Sequence, residues 1–115
     1  MKNVAPHTIK YIKLIKATET LRQSNDFKSI DFIEDKLLQN ILINWYSGSP
    51  MTVAETLEAV KEISSSTVNR RLKNLRETGM TSHVADDIDN RIKYVIPTLQ
   101  CIEYFNQISN VSMAP

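Results

Sequence analysis

Apolar residues in the first half of the chain recur with the period of an α-helix. One such pattern predicts a moderately amphipathic helix over residues 8–23. A second helix is predicted from about Asp31, because Asp31 and Glu34 have the spacing of a capping box and a wide apolar stripe follows them. We expect that stripe to be core. The apolar positions are Ile9, Ile12 and Ile15 in the first helix and Leu37, Leu38, Ile41, Leu42 and Trp45 in the second.

Two shorter helices with clear start signals follow. Thr52 and Glu55 form a second capping-box pattern, and Ser64 stands where the N-cap of the next helix belongs. Gly79 occupies the position at which a helix ends in a left-handed residue. Two capped helices joined by a tight connection are typical of a helix-turn-helix. The apolar lines of the two helices are Val53, Leu57 and Val60, and then Val68, Leu72 and Leu75.

After Gly79 the pattern changes to short segments rich in β-branched and aromatic residues. The segments on either side of "DDIDN" predict a β-hairpin over residues 80–96, which Pro97 closes. Thr98 is then placed to cap a last helix over residues 98–110. The predicted fold is mostly α with a small β-hairpin. It is a single winged helix domain whose helix-turn-helix core, residues 31–97, is flanked by N- and C-terminal helices.

Composition narrows the class of protein without naming a function. A chain of 115 residues with 42% hydrophobic and 23% charged residues suits one globular domain. It has no apolar run long enough to span a bilayer and no signal-peptide pattern, and its single cysteine, Cys101, is expected to be a buried thiol in the cytoplasm. The net charge is +1, yet residues 61–76 are basic and residues 31–60 are acidic, which favours a charged binding face.

The predicted helix over residues 65–77 carries a polar face opposite its apolar line. Short hydroxyl and amide groups near the start of such a helix suit base edges in a DNA major groove, and longer cations suit phosphates. A solvated charged face is the alternative, but the preceding capped helix and the following hairpin favour DNA. The predicted base contacts are Ser65, Ser66, Asn69 and Arg70, and the predicted DNA backbone contacts are Thr67, Arg71, Lys73, Asn74 and Arg76.

The stretch "MTVAETLEAVKEISSSTVNRRLKNLRETGM" followed by "DIDNRIKYVIPT" resembles the DNA-binding core of MarR-type bacterial transcriptional regulators. The resemblance covers about residues 35–98 and implies a DNA-binding winged helix. It departs from the family in the turn between the two helices, which lacks the usual glycine, and in the segment after the wing, which is shorter than the family's dimerisation helices. The resemblance also implies that Arg91 and Lys93 of the wing reach the minor groove or its phosphates, with Asp89 orienting Arg91.

The predicted function is sequence-specific binding of double-stranded DNA by a small transcriptional regulator. Two alternatives stay open: a winged helix that docks another protein, and a phage or plasmid replication or control protein. The terminal helices are candidates for a homodimer interface, which implies a palindromic DNA site. The sequence predicts no metal site, because His7 and His83 are far apart and lack cysteine partners, and it supports no cofactor, enzyme activity or identifiable small-molecule effector.

Overall fold

The computed structural model describes residues 3–24, 27 and 30–112, the last two of these by backbone alone. The described part of the chain falls into two compact units. One comprises residues 31–101, and the other combines the described residues before Asp31 with those after Cys101. The elements are α1 (Pro6–Arg22), α2 (Phe32–Tyr46), α3 (Val53–Leu57), α4 (Ser65–Glu77), β1 (Thr81–Ala85), β2 (Lys93–Pro97) and α5 (Leu99–Ser112). The predicted mostly α fold with a small β-hairpin is therefore confirmed.

Side-chain caps determine where the helices of the first unit begin. The Asp31 carboxylate accepts the Glu34 N–H at 2.8 Å, and the Glu34 carboxylate accepts the Asp31 N–H at 3.1 Å. Thr52 and Glu55 form the same reciprocal pair at 3.1 and 2.9 Å, and the Ser64 hydroxyl caps α4. Each cap satisfies backbone donors that have no partner inside the helix. All three predicted helix starts are confirmed.

The connection from α4 into the hairpin depends on Gly79 and Thr98. Gly79 has φ +83°, as predicted for a left-handed residue after a helix. A Cβ at this position would lie 3.0 Å from Oε1 of Gln100, so a larger residue would meet both backbone strain and a close contact. The Thr98 hydroxyl donates to the Gly79 carbonyl at 2.6 Å and accepts the Cys101 N–H at 3.2 Å. Thr98 therefore caps α5, as predicted, and ties its start to the end of α4.

Strands β1 and β2 form an antiparallel hairpin in which Thr81 pairs with Pro97 and Ala85 with Lys93. The hairpin is also bonded to the chain just before α3. The Val95 N–H donates to the Met51 carbonyl at 2.8 Å, next to an isolated bridge between Thr52 and Tyr94. The predicted hairpin is confirmed, and this added backbone pairing ties the wing to the start of the helix-turn-helix.

The core of the 31–101 unit comes from α2, α4 and the hairpin. The predicted buried line of α4 is confirmed, and Cys101 is fully buried as predicted. Burial, together with the nearby Asp35 carboxylate, raises the pKa of the Cys101 thiol to about 12. The buried apolar residues of this unit are Leu37, Leu38, Ile41, Val60, Val68, Leu72, Leu75, Met80, Val95 and Cys101.

One core prediction in this unit is wrong, and another holds only in part. Trp45, expected in the core, is 38% exposed at the end of α2. The predicted line of α3 is buried only at Val60, while Val53 and Leu57 are half-buried. The helix ends at Leu57, where the N–H groups of Glu58 and Ala59 donate to carbonyls three residues back. Thr56 is fully buried instead, whereas Leu57 is half-buried. The apolar period of this segment therefore continues past the end of the helix into a turn.

The unit that contains α1 also differs from its prediction. Helix α1 begins at Pro6, two residues before the predicted start, because proline is well suited to the first helical position. Its apolar residues point to several sides, and Ala17 is the buried residue of this fully described helix. The predicted moderate amphipathicity is therefore wrong. Packing in this unit includes Phe27 against Tyr104, with ring centroids 5.0 Å apart.

The two capping boxes provide a matched stability test. Asp31→Ala removes a cap and also the ion pair between Asp31 and Arg71, whereas Thr52→Ala removes a cap alone. We expect Thr52→Ala to lower the free energy of unfolding by about 1 kcal/mol. Because the side chains of Arg71 and Asp31 are 33% and 38% exposed, the pair adds about 1 kcal/mol at most, so Asp31→Ala should cost about 2 kcal/mol. Urea unfolding measures both, and equal losses would show that the ion pair contributes nothing.

Candidate nucleic-acid interface

Helix α4 has two sides with different chemistry. Val68, Leu72 and Leu75 are buried and attach the helix to its own unit. The opposite side is polar and solvent-exposed, because serine, asparagine and cationic residues fill the positions between the apolar ones. The predicted contact residues that the structure leaves exposed on this helix are Ser65, Ser66, Asn69, Arg70, Lys73 and Arg76.

The start of α4 presents hydroxyl groups beside free backbone donors. Ser64 accepts the Thr67 N–H at 3.4 Å and its hydroxyl lies 3.0 Å from that of Thr67. Thr67, predicted to contact DNA backbone, is half-buried and belongs to this cap. Ser65 and Ser66 stay exposed in the first turn, where backbone N–H groups carry a partial positive charge. This end of the helix therefore suits an anionic or acceptor-rich partner.

Beyond the first turn the exposed side carries amide and cationic groups. In the described part of the chain, no hydrogen bond or ion pair engages the side chains of Asn69, Arg70 or Lys73. Arg70 and Lys73 are three residues apart and thus lie on one side of the helix. An unengaged amide and guanidinium can make paired hydrogen bonds to a flat acceptor surface.

Two predicted DNA backbone contacts turn inward instead. The Arg71 guanidinium pairs with the Asp31 carboxylate. The Asn74 amide donates to the Glu34 carboxylate at 2.6 Å, and Glu34 is fully buried. Both side chains of α4 are thus engaged by the start of α2 in this structure. The sequence marked Asp31 and Glu34 as a capping box, but no local spacing links them to residues 40 positions away.

The tip of the wing is held by Asp86. One carboxylate oxygen accepts the N–H groups of Ile88 and Asp89 at 3.0 and 2.9 Å, and the other accepts the Tyr94 hydroxyl at 2.9 Å. These bonds lower the pKa of Asp86 and raise that of Tyr94. A carboxylate at this position would repel phosphate if it were unpaired. The structure shows that this carboxylate instead organises the loop between β1 and β2.

Asp89 and Arg91 form the predicted pair beside this turn. Nε and Nη2 of Arg91 donate to the two Asp89 carboxylate oxygens, each at 3.0 Å, while the Arg91 side chain is 87% exposed. These hydrogen bonds lower the pKa of Asp89 and raise that of Arg91. Lys93, the third predicted wing residue, is exposed at the start of β2. The wing thus presents an oriented guanidinium and a second cation.

His83 on β1 is half-buried. Its Nε2 atom is buried and has no hydrogen-bond partner among the described residues. Burial lowers the pKa of His83, and the positive charges of Arg76 on α4 and Lys93 on β2 lower it further. Burial and the charges of Arg76 and Lys93 therefore all favour the neutral form of the imidazole. No sequence signal distinguished this position from a solvent-facing one in a hairpin strand.

Comparison with solved structures shows the fold of the chain. It is similar to a transcriptional regulator from Thermotoga maritima, with a TM-score of 0.69 and 19% identity over 92% of this chain and 68% of that one. FabT from Streptococcus pneumoniae, solved in complex with DNA, gives 0.59 and 20% over 87% and 66%. A MarR variant from E. coli, complexed with operator DNA, gives 0.61 and 19% over 93% and 70%. No protein-family model and no curated protein matches the sequence.

These likenesses establish the winged helix fold of the MarR type for this chain. The chain spans about two thirds of the length of the structures it resembles. Among the described residues no helix combines the length and apolar character that a membrane crossing needs. The same residues contain no cluster of three or more histidine, cysteine or carboxylate side chains arranged to hold a metal ion.

The half-buried His83 predicts acid sensitivity of the fold. Because its folded pKa is lowered, the unfolded chain binds the proton more readily, and folding is favoured most above the ordinary histidine pKa of about 6.5. That contribution is lost as pH falls from about 6.5 to the folded pKa. We therefore expect the free energy of unfolding to fall as the pH drops below about 6.5 in the native chain and to fall less in His83→Gln. Urea titrations across this range measure it, and identical pH profiles would refute the assignment.

Proposed function

We propose that this chain binds double-stranded DNA sequence-specifically and acts as a small transcriptional regulator in the cytoplasm. The observation that carries the proposal is the exposed side of α4, where the side chains of Asn69, Arg70 and Lys73 have no partner among the described residues, while Arg71 and Asn74 are held by the start of α2. Solved structures with this fold include two proteins in complex with DNA, one of them with operator DNA, which supports a DNA-binding role here.

The order of groups along α4 matches the demands of a major groove. Ser65 and Ser66 are short donors at the helix start, and Asn69 and Arg70 follow within the next turn, where they can reach base edges. Lys73 and Arg76 lie further along and are suited to phosphates on the flank of the groove. This division gives each group a distinct energetic role, which mutation can separate.

The wing supplies a second contact. The Asp86 turn fixes the loop, and the Asp89 carboxylate holds the Arg91 guanidinium in an exposed position. A guanidinium placed in this way can enter the minor groove next to the major groove that α4 occupies, and Lys93 can hold the adjacent backbone. Because Asp89 neutralises part of the Arg91 charge, we assign the wing mainly to orientation and groove shape rather than to bulk attraction.

Selection of bound sequences from a random duplex pool tests the proposal and supplies the specific site. On that site Asn69→Ala and Arg70→Ala should each weaken binding by about 1–3 kcal/mol and relax the base preference at one position, because each removes a base contact. Lys73→Ala should instead weaken binding evenly across sequences and reduce the salt slope by about 1, because it removes a phosphate contact. Gel-shift titrations at two salt concentrations provide the measurements.

Lys36→Ala is the matched control, because Lys36 is an exposed cation on α2 away from this face. It should leave both affinity and base preference unchanged. If all three α4 variants behaved alike, the division into base and phosphate contacts would be wrong. If the native chain enriched no sequence and showed no salt-dependent binding, a protein-docking role for the winged helix would take its place.

We further propose that the chain acts as a homodimer through its terminal helices. Helix α1 leaves five large apolar side chains exposed to solvent, and exposed apolar surface can mark a protein–protein interface. A two-fold dimer through this surface would place two α4 helices about 34 Å apart and require a nearly palindromic site. The exposed apolar residues of α1 are Ile9, Tyr11, Ile12, Leu14 and Ile15.

A charged residue in place of Ile12, one of the exposed apolar residues of α1, tests the dimer. Ile12→Glu should leave the fold intact, since Ile12 is exposed, but it should dissociate the dimer because a carboxylate would have to be buried in the interface. Sedimentation velocity should show a shift to monomer mass, with binding to a two-half-site duplex weakened by tenfold or more, about the loss of one half-site's contribution. The exposed Lys10→Glu change is the control for added charge. An unchanged mass in Ile12→Glu would rule out this interface.

A further inference from the structure

We propose that Asp31 and Glu34 are positioning residues that set the sequence preference of α4 without contacting DNA. The proposal rests on the DNA-binding function proposed above. It gives a role in recognition to two residues that lie outside the exposed side of α4. Both lie in the first turn of α2, and each holds one side chain of α4: Asp31 pairs with Arg71, and Glu34 accepts from Asn74.

The two attachments are spaced to fix rotation of the helix. Arg71 and Asn74 are three residues apart, about one helical turn, and so are Asp31 and Glu34. One bond would act as a pivot, whereas two bonds a turn apart resist both sliding and turning. The buried apolar line of α4 cannot do this as well, because apolar contact is non-directional while hydrogen bonds depend steeply on angle.

Rotation matters more for base contacts than for phosphate contacts. An α-helix with its side chains has a radius of about 5–6 Å, so a turn of about ten degrees moves a surface atom by about 1 Å. A bidentate bond from Asn69 or Arg70 to a base edge does not survive such a shift, because N–H···O distances span only about 2.7–3.2 Å. A long cation such as Lys73 can follow a phosphate through the same movement. Loss of the α2 attachments should therefore lower specificity more than general affinity.

Burial makes the Glu34 attachment the firmer of the two. Glu34 is fully buried, and both of its carboxylate oxygens are used: Oε1 accepts the Asp31 N–H at 3.1 Å and Oε2 the Asn74 amide at 2.6 Å. Turning Asn74 away would leave a buried, charged oxygen without its donor, which is among the costlier losses in a protein interior. By contrast, the ion pair of Asp31 with Arg71 is partly open to solvent.

An exchange of donor and acceptor tests this pair. Asn74→Asp places two carboxylates where the 2.6 Å bond was, and their repulsion should release α4. In the double variant with Glu34→Gln, the introduced amide can still accept the Asp31 N–H through its oxygen while its NH₂ donates to the introduced carboxylate. The bond is thus rebuilt with reversed polarity, and the net charge returns to that of the native chain. Glu34→Gln alone should stay close to native, since the Asn74 amide can turn its oxygen toward the new donor.

The measurement is the ratio of affinities for the duplex selected from a random pool and for a mixed-sequence duplex of equal length. Asn74→Asp should lower this ratio by about tenfold, and the double variant should restore it to within about threefold. Taking the ratio removes the uniform effect of one added negative charge on α4. All variants are compared at a temperature where their helical circular dichroism equals that of the native chain. If Asn74→Asp does not fold, the neutral Asn74→Ser variant should lower the ratio in the same direction.

An unchanged ratio in folded Asn74→Asp or Asn74→Ser would overturn the proposal, as would a double variant that recovers stability but not the ratio. A merely structural role predicts the latter result, because melting temperature would then move while preference did not. Failure of the DNA-binding function is a separate outcome. In that case the native chain itself would yield no selected duplex, before any variant is compared.

Discussion

The hydrogen bond between the buried Glu34 carboxylate and the Asn74 amide is the interaction on which the arrangement of this winged helix unit depends. Glu34 caps its own helix with one oxygen and holds α4 with the other, so a single residue joins the start of α2 to the inner side of α4. A buried carboxylate is costly unless it is fully bonded, and here both oxygens are. Glu34 thus engages Asn74, and Asp31 engages Arg71. Asn69, Arg70 and Lys73 remain exposed on the outer side of α4.

In the wing, too, carboxylates accept hydrogen bonds that hold neighbouring groups in place, although these carboxylates are more exposed than Glu34. Asp86 uses both oxygens to hold a turn, and Asp89 uses both to hold Arg91, so two carboxylates that would repel phosphate are largely satisfied within the loop. On β1, burial and then the positive charges of Arg76 on α4 and Lys93 on β2 lower the pKa of His83 and favour the neutral imidazole. Acidic side chains therefore orient the polar groups of both elements: Asp31 and Glu34 hold side chains of α4, and Asp89 holds Arg91 in the wing.

Much of the fold was predictable because its signals are local. Ser64 and Gly79 bounded α4, the capping boxes marked two helix starts, and the change of apolar period marked the hairpin. The exposed residues of α4 followed from the same periodicity. The features that the sequence did not indicate have a common cause: the engagement of Arg71 and Asn74 by α2, the partial burial of His83 and the exposure of Trp45 depend on packing between distant segments. Neither spacing nor residue type records such contacts.

The most direct test of DNA recognition by α4 is a titration of ¹⁵N-labelled protein with the selected duplex, followed by amide chemical shifts. DNA binding through this surface predicts that the largest changes fall on residues 64–70 and on the wing loop at residues 86–92. It also predicts small changes along the exposed side of α2, including Lys36 and Ile43. Large changes on α2 with little effect on residues 64–70 would contradict recognition by α4, whatever the affinity of the complex.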